Sequence, residues 1–205
     1  MTPTSPWLVV GLGNPGAEYA STRHNVGHLT LDVLARRTRA SWTGHRSGTH
    51  VADVRLGVLP GGAPGPRVVL ATSDSYMNTS GGPVGRLMKF LDIPAERLLV
   101  VHDDLDLPAH ELRLKRGGGE GGHNGLKSIS QVIGTKDYHR LRIGIGRPPG
   151  RQDPADYVLA RISAKERVDW DVTFEEAADV VEAIVAAGFA ETQQELHSKN
   201  SGGRA

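Results

Sequence analysis

One imidazole, one strand-end carboxylate and three carboxamides are the side chains of this chain with the most to offer chemically. His24 stands in Thr22-Arg23-His24-Asn25, shortly after a glycine-rich turn. Asp103 stands in Val101-His102-Asp103-Asp104-Leu105-Asp106, where an apolar run closes in acids. Asn14 lies inside the glycine-rich turn, Asn78 in Tyr76-Met77-Asn78-Thr79-Ser80-Gly81, and Asn124 in Gly122-His123-Asn124-Gly125. An unperturbed imidazole titrates near ~6.5, so it can take a proton at neutral pH. A carboxylate bonded to its other ring nitrogen fixes the tautomer and stabilises the imidazolium as it forms. Carboxamides add donors and acceptors without charge. Such a set suits a site that moves a proton and binds an uncharged polar substrate.

The nucleophile in such a site would be water. The chain has no Cys, which excludes thiolate catalysis, a disulfide framework and Cys-ligated zinc. The G-x-S-x-G pattern of a serine hydrolase is also missing. No metal is expected, because the nearest set of His and acids, His102, Asp103 and Asp104, is consecutive.

Gly11-Leu12-Gly13-Asn14-Pro15-Gly16 fits the G-x-G-x-x-G spacing of a dinucleotide site. Two features oppose that role. A dinucleotide unit needs an acid about 20 residues on, for the ribose hydroxyl, but residues 33–43 carry none and Asp32 falls inside an expected helix. Pro15 also removes a backbone donor where donors should converge on phosphate. A turn that presents Asn14 at a strand end fits better, since open α/β sheets place ligands at strand carboxyl ends.

These side chains need elements that bring strand ends together. Trp7–Leu12 and "RLLVVHDD" are short apolar runs of the kind that form buried strands, and "HVADVRLGVL", "RVVLAT", "ELRLKR" and "HRLRIGIG" also predict strands. Apolar residues at helical spacing follow at Val26–Leu34, Val84–Leu91 and Leu126–Ile133. "PADYVLARI" predicts a short helix. Ser163-Ala164-Lys165-Glu166 has capping-box spacing and opens helical sequence that runs, with a break, to about Leu196. Alternating strands and helices imply an α/β fold with helices on both faces of the sheet. Residues 1–196 are expected to form one domain, and 197–205 a disordered tail.

Composition is that of an ordinary globular protein, 38% hydrophobic and 23% charged. No apolar stretch is long enough for a membrane span, and "MTPTSP" is too short and polar for a signal peptide. A soluble cytoplasmic protein is expected, with no membrane partner. The formal charge of +1 is unevenly spread. Residues 1–150 carry 18 Lys and Arg against 12 Asp and Glu, whereas 151–205 carry 6 against 11. Within 113–147, eight cations face only Glu120 and Asp137. That asymmetry points to a polyanionic partner for one face.

Taken in order, "GLGNPGAEYASTRHNVG", "SYMNTSG", "HDDLDLP", "LRLKRGGGEGGHNGLKSI" and "RLRIGIGRP" resemble the bacterial-type peptidyl-tRNA hydrolases. The motifs span residues 7–148, about seven-tenths of the chain. The resemblance implies a mixed, largely parallel, phosphorylase/hydrolase-like sheet and a monomer without a cofactor. It also implies hydrolysis of the ester between a peptide and the terminal ribose of tRNA, which recycles the tRNA. On this resemblance His24 is the base and Asp103 orients it. Asn14, Asn78 and Asn124 hold substrate or water with Tyr19 and Tyr76 alongside, and Lys115 and Arg142 bind tRNA phosphate. The chain departs from the pattern at "SDSYMNTSG", where proline-threonine is more usual, and at Asp104, where Glu often stands. The rival class is a noncatalytic RNA-binding relative of the same fold.

Overall fold

Alternate residues of Trp7–Gly11 (β1) point to opposite faces of a sheet, and in the computed structural model both faces are buried. Trp7 and Val9 pack into one apolar cluster, Leu8 and Val10 into a second. The structure describes residues 5–202; the rest of the "MTPTSP" start and the last three residues lie outside them. Val26–Arg37 (α1) and Ala164–Ala187 (α5) supply the first cluster. Gly81–Leu91 (α2) and Asn124–Ile133 (α3) supply the second.

The remaining strands are Thr43–His45 (β2), Thr49–Arg55 (β3), Arg67–Ser73 (β4), Leu98–Asp104 (β5), Leu112–Arg116 (β6) and His139–Gly144 (β7). Their order is β2-β3-β4-β1-β5-β7-β6. The four central strands β4, β1, β5 and β7 run parallel, while β2, β3 and β6 pair antiparallel with their neighbours. Strands buried on both faces explain the unbroken apolar runs in β1 and β5. The result is a single α/β domain with a mixed, mostly parallel sheet and helices on both faces. The strand expected over 50–59 stops at Arg55, and Gly57, at φ +76°, turns the chain away.

Ser163 caps α5 through a complete capping box with Glu166, as its spacing predicts. The segment expected as a tail, 197–205, is described only as far as Gly202. After the break at Gly188, Phe189–Gly202 (α6) is helical and lies along the free edge of β6. Gln193 donates to the Leu114 carbonyl, Asn200 donates to the Leu112 carbonyl, and the Leu114 amide donates to His197. An edge strand carries unpaired backbone groups, and these polar side chains of α6 satisfy them. His197 and Asn200, beyond Leu196, thus meet β6 through polar contacts that leave no apolar trace in sequence. No helix among the described residues is long and apolar enough to cross a membrane.

Candidate active site

The catalytic candidates meet where glycine lets backbones approach. A Cβ on Gly27 would come within 2.4 Å of the Val101 carbonyl oxygen, and one on Gly11 within 2.5 Å of the Gly27 carbonyl oxygen. Those contacts let the start of α1 sit on β1 and β5, and the one-turn 3₁₀ segment Arg23–Asn25 before it carries His24 to the end of β5. Asn25, unremarked in the sequence, ties the two turns together. It accepts from the Asn14 amide and donates to the Asn14 carbonyl, both at 2.9 Å. The G-x-G spacing thus serves helix–strand contact and the placing of Asn14.

Asp103 is buried, and its carboxylate oxygens both lie 2.9 Å from Nδ1 of His24. A carboxylate only accepts, so Nδ1 carries the hydrogen and Nε2 is the basic atom. Nε2 has no protein partner among the described residues and opens on a cavity of about 780 Å³. Burial lowers the His24 pKa, but the charge and hydrogen bond of Asp103 outweigh it and hold the ring above its ordinary value. Burial alone would raise the Asp103 carboxyl; the two imidazoles it contacts hold it well below the usual carboxylate range. It is a fixed anion at neutral pH. The second of those imidazoles is His123, whose Nε2 donates to Asp103 Oδ1 at 2.9 Å. The sequence showed His123 only as a neighbour of Asn124.

Asp104, the next residue of β5, faces the other way, as strand alternation requires. Its carboxylate accepts from Arg142 at 2.8 Å and from the Asp106 amide at 2.9 Å.

The three carboxamides line the same cavity, with Tyr19 and Tyr76 beside them. The two tyrosine rings meet edge to face at 6.2 Å. Asn14 is buried, and its Oδ1 accepts from the Met77 amide at 2.8 Å. Its remaining polar group is therefore an NH₂ donor. Asn78 and Asn124 are exposed at the rim. The opposite wall is apolar, built from Leu105, Val158 and Leu159 at the end of Pro154–Val158 (α4).

Lys115 and Arg142 are not in this cavity. They line an adjoining one of about 280 Å³ that shares His102, Asp104 and Glu120 as walls with the first. The picture of eight cations opposed only by Glu120 and Asp137 is corrected. Arg113 pairs with Glu111 at 2.6 Å, Arg142 with Asp104, and Arg147 with Asp106. Asp104 and Asp106 lie far earlier in the chain than their partners, and the pairing of β5 with β7 brings them alongside, whereas Glu111 stands just two residues before Arg113.

His24, Asp103 and His123 also place one ligand-type atom each within 4.8 Å of one another, a grouping that sequence spacing did not show. As protonated here, both rings turn an N–H, not a lone pair, toward Asp103. The trio is wired as hydrogen bonds.

Comparison with known proteins gives a consistent result. A family profile described as peptidyl-tRNA hydrolase matches residues 8–203. A peptidyl-tRNA hydrolase of Kineococcus radiotolerans is 63% identical over 192 residues, covering 94% of this chain and 97% of the relative. One from Arthrobacter sp. is 52% identical over 195 residues, covering 95% and 98%. The crystal structure of the enzyme from Acinetobacter baumannii superposes with a TM-score of 0.82 at 35% identity, covering 94% of each chain.

Proposed function

The chain belongs to the peptidyl-tRNA hydrolase family and hydrolyses peptidyl-tRNA, and we propose that it does so with His24 as general base, Asp103 as its orienting anion and water as nucleophile. One observation carries the assignment: the His24–Asp103 pair turns a basic Nε2 into a cavity lined by three neutral carboxamides. Nε2 takes a proton from water, the hydroxide attacks the ester carbonyl, and Asp103 stabilises the imidazolium. When the tetrahedral intermediate collapses, the ribose oxygen leaves with that proton from His24. A noncatalytic RNA binder has no use for this pair.

Asn14 reads the α-nitrogen side of the substrate. With Oδ1 held by the Met77 amide, its NH₂ can donate to a peptide carbonyl. The ammonium of an unblocked aminoacyl group only donates, so it would meet donor with donor and lose its hydration. Asn78, Asn124, Tyr19 and Tyr76 complete the substrate wall. Lys115 and Arg142, in the adjoining cavity, take tRNA phosphate. The enzyme acts in the cytoplasm as a monomer without a cofactor, one chain supplying every member of the site.

The test is release of N-acetylamino acid from N-acetylaminoacyl-tRNA by purified protein. His24→Ala should lose roughly 10²–10⁴-fold in kcat with its circular dichroism unchanged. Near-normal turnover by a folded variant would remove His24 from the role.

A further inference from the structure

Asp103 serves two imidazoles. Besides His24, its Oδ1 accepts from Nε2 of His123, a side chain only 8% exposed. His123 also stands at the N-cap of α3, where its Nδ1 accepts the Gly125 amide at 3.2 Å. A neutral imidazole has one acceptor and one donor nitrogen. Capping therefore fixes the tautomer and aims the single ring N–H at Asp103.

We propose that His123 is a positioning residue for the hydrolysis: it anchors one oxygen of Asp103 and, by sharing that carboxylate's charge, tempers its pull on His24. The inference rests on His24 being the base. His24 Nδ1 is equally close to both oxygens, 2.9 Å from each, so it does not by itself set the carboxylate plane. The terminal torsion of an aspartate is soft. His123, bonded to Oδ1 alone, sets that plane. A hydrogen bond to a carboxylate also spreads its charge, so the imidazolium of His24 is stabilised less than by an unshared Asp103. That keeps the base ready for use at neutral pH.

The groups facing this pair are few. The His24 and His123 rings lie 5.1 Å apart, and His102 lies 5.0 Å from His123 on its other side. His102 donates Nδ1–H to the Asp103 carbonyl, and burial together with His123 holds its pKa down to about 3, so it is uncharged. Asp104 is turned to Arg142 and Glu120 to Lys136. Asp103 is therefore the anion that both His24 and His123 address. His123 further links Asp103 to α3, whose first residue is Asn124, so the proton-transfer pair and a substrate carboxamide share one support.

Two substitutions separate capping from positioning. His123→Asn keeps a good N-cap side chain but is too short to reach Asp103. His123→Gln extends an amide N–H far enough to restore that bond. With N-acetylaminoacyl-tRNA as substrate, His123→Asn should lower kcat about tenfold, on the scale of lost supporting hydrogen bonds. The acid limb of its pH profile should move upward, and His123→Gln should restore both. Nuclear magnetic resonance titration of the His24 ring in the resting protein should show the same upward shift in His123→Asn, independently of turnover. A normal kcat and an unmoved acid limb in His123→Asn would reduce His123 to a helix cap and overturn the proposal. So would equal impairment of the Asn and Gln variants, because the donor would then be irrelevant. His24→Ala is run in parallel: an active His24→Ala enzyme refutes the base assignment, whereas an inactive one beside a normal His123→Asn refutes only this inference.

Discussion

Replacing Asp103 by Asn should be among the most damaging conservative changes in the molecule, because two fixed donors converge on that carboxylate. An amide offers one acceptor and one NH₂ where the structure has an N–H at 2.9 Å from each imidazole. One ring must give way. His123 is held by the Gly125 amide, so His24 yields, and its hydrogen moves to Nε2, the atom that must be basic. The lost ion pair sets the scale. Imidazolium and carboxylate charge centres about 4 Å apart interact by about 4 kcal/mol at an effective dielectric near 20. At ~1.4 kcal/mol per decade that is roughly a 10³-fold loss in kcat, and the wrong tautomer takes it toward 10⁴. The measurement is kcat on N-acetylaminoacyl-tRNA for Asp103→Asn beside Asp104→Asn, with circular dichroism as the fold control. Asp104 addresses Arg142, so its variant should change KM on tRNA substrates more than kcat. A folded Asp103→Asn enzyme within tenfold of wild type, or a kcat order with Asp104→Asn worse, would refute the reasoning.

Lys115→Ala and Arg142→Ala should each raise KM on tRNA substrates and flatten its salt dependence, since fewer counterions are released on binding. A short ester lacking the tRNA body should be indifferent to both, and equal losses on the two substrates would place these residues elsewhere in the mechanism. Asn14→Asp keeps the acceptor for the Met77 amide but replaces the NH₂ donor by a carboxylate oxygen. It should narrow the preference for N-acetylaminoacyl-tRNA over aminoacyl-tRNA, read as the ratio of the two kcat/KM values on one tRNA. An unchanged ratio would sink the assignment of Asn14. Acid stability follows from two histidines that burial keeps uncharged, His28 at about 4 and His102 at about 3. Both folded values lie below the ordinary ~6.5 of an unfolded chain, so the unfolded state binds more protons. Stability should be full above that value and fall as pH drops toward 4 and 3. Denaturant midpoints across that window test it, and a flat profile would contradict the buried neutral state.

The parts of the fold legible in sequence are those governed by local physics. The apolar runs of β1 and β5 announce strands buried on both faces, and Ser163 and Glu166 announce the start of α5. What escaped had no local signature. β2 is three residues, exposed or half-buried, and has no alternation to read. The end of α6 beyond Leu196 meets the edge of β6 through His197 and Asn200, and polar side chains facing a strand edge look like a solvated tail.

By itself the sequence singled out the side chains proposed to do the chemistry. His24, Asp103 and the three asparagines stand out because each chemical type falls where strand signals end, and their motifs match one family in order. Strand alternation alone turns Asp103 and Asp104, neighbours in β5, to opposite sides of the sheet. Tertiary structure decided what those side chains are bonded to. That His123 shares Asp103, that Asn25 braces Asn14, and that Asp104 and Asp106 neutralise Arg142 and Arg147 all depend on residues well separated in the chain. Hydrogen bonds and ion pairs act over about 3 Å. Only the packing of helices on the sheet, set by glycines 11 and 27 and by strand register, brings such groups that close.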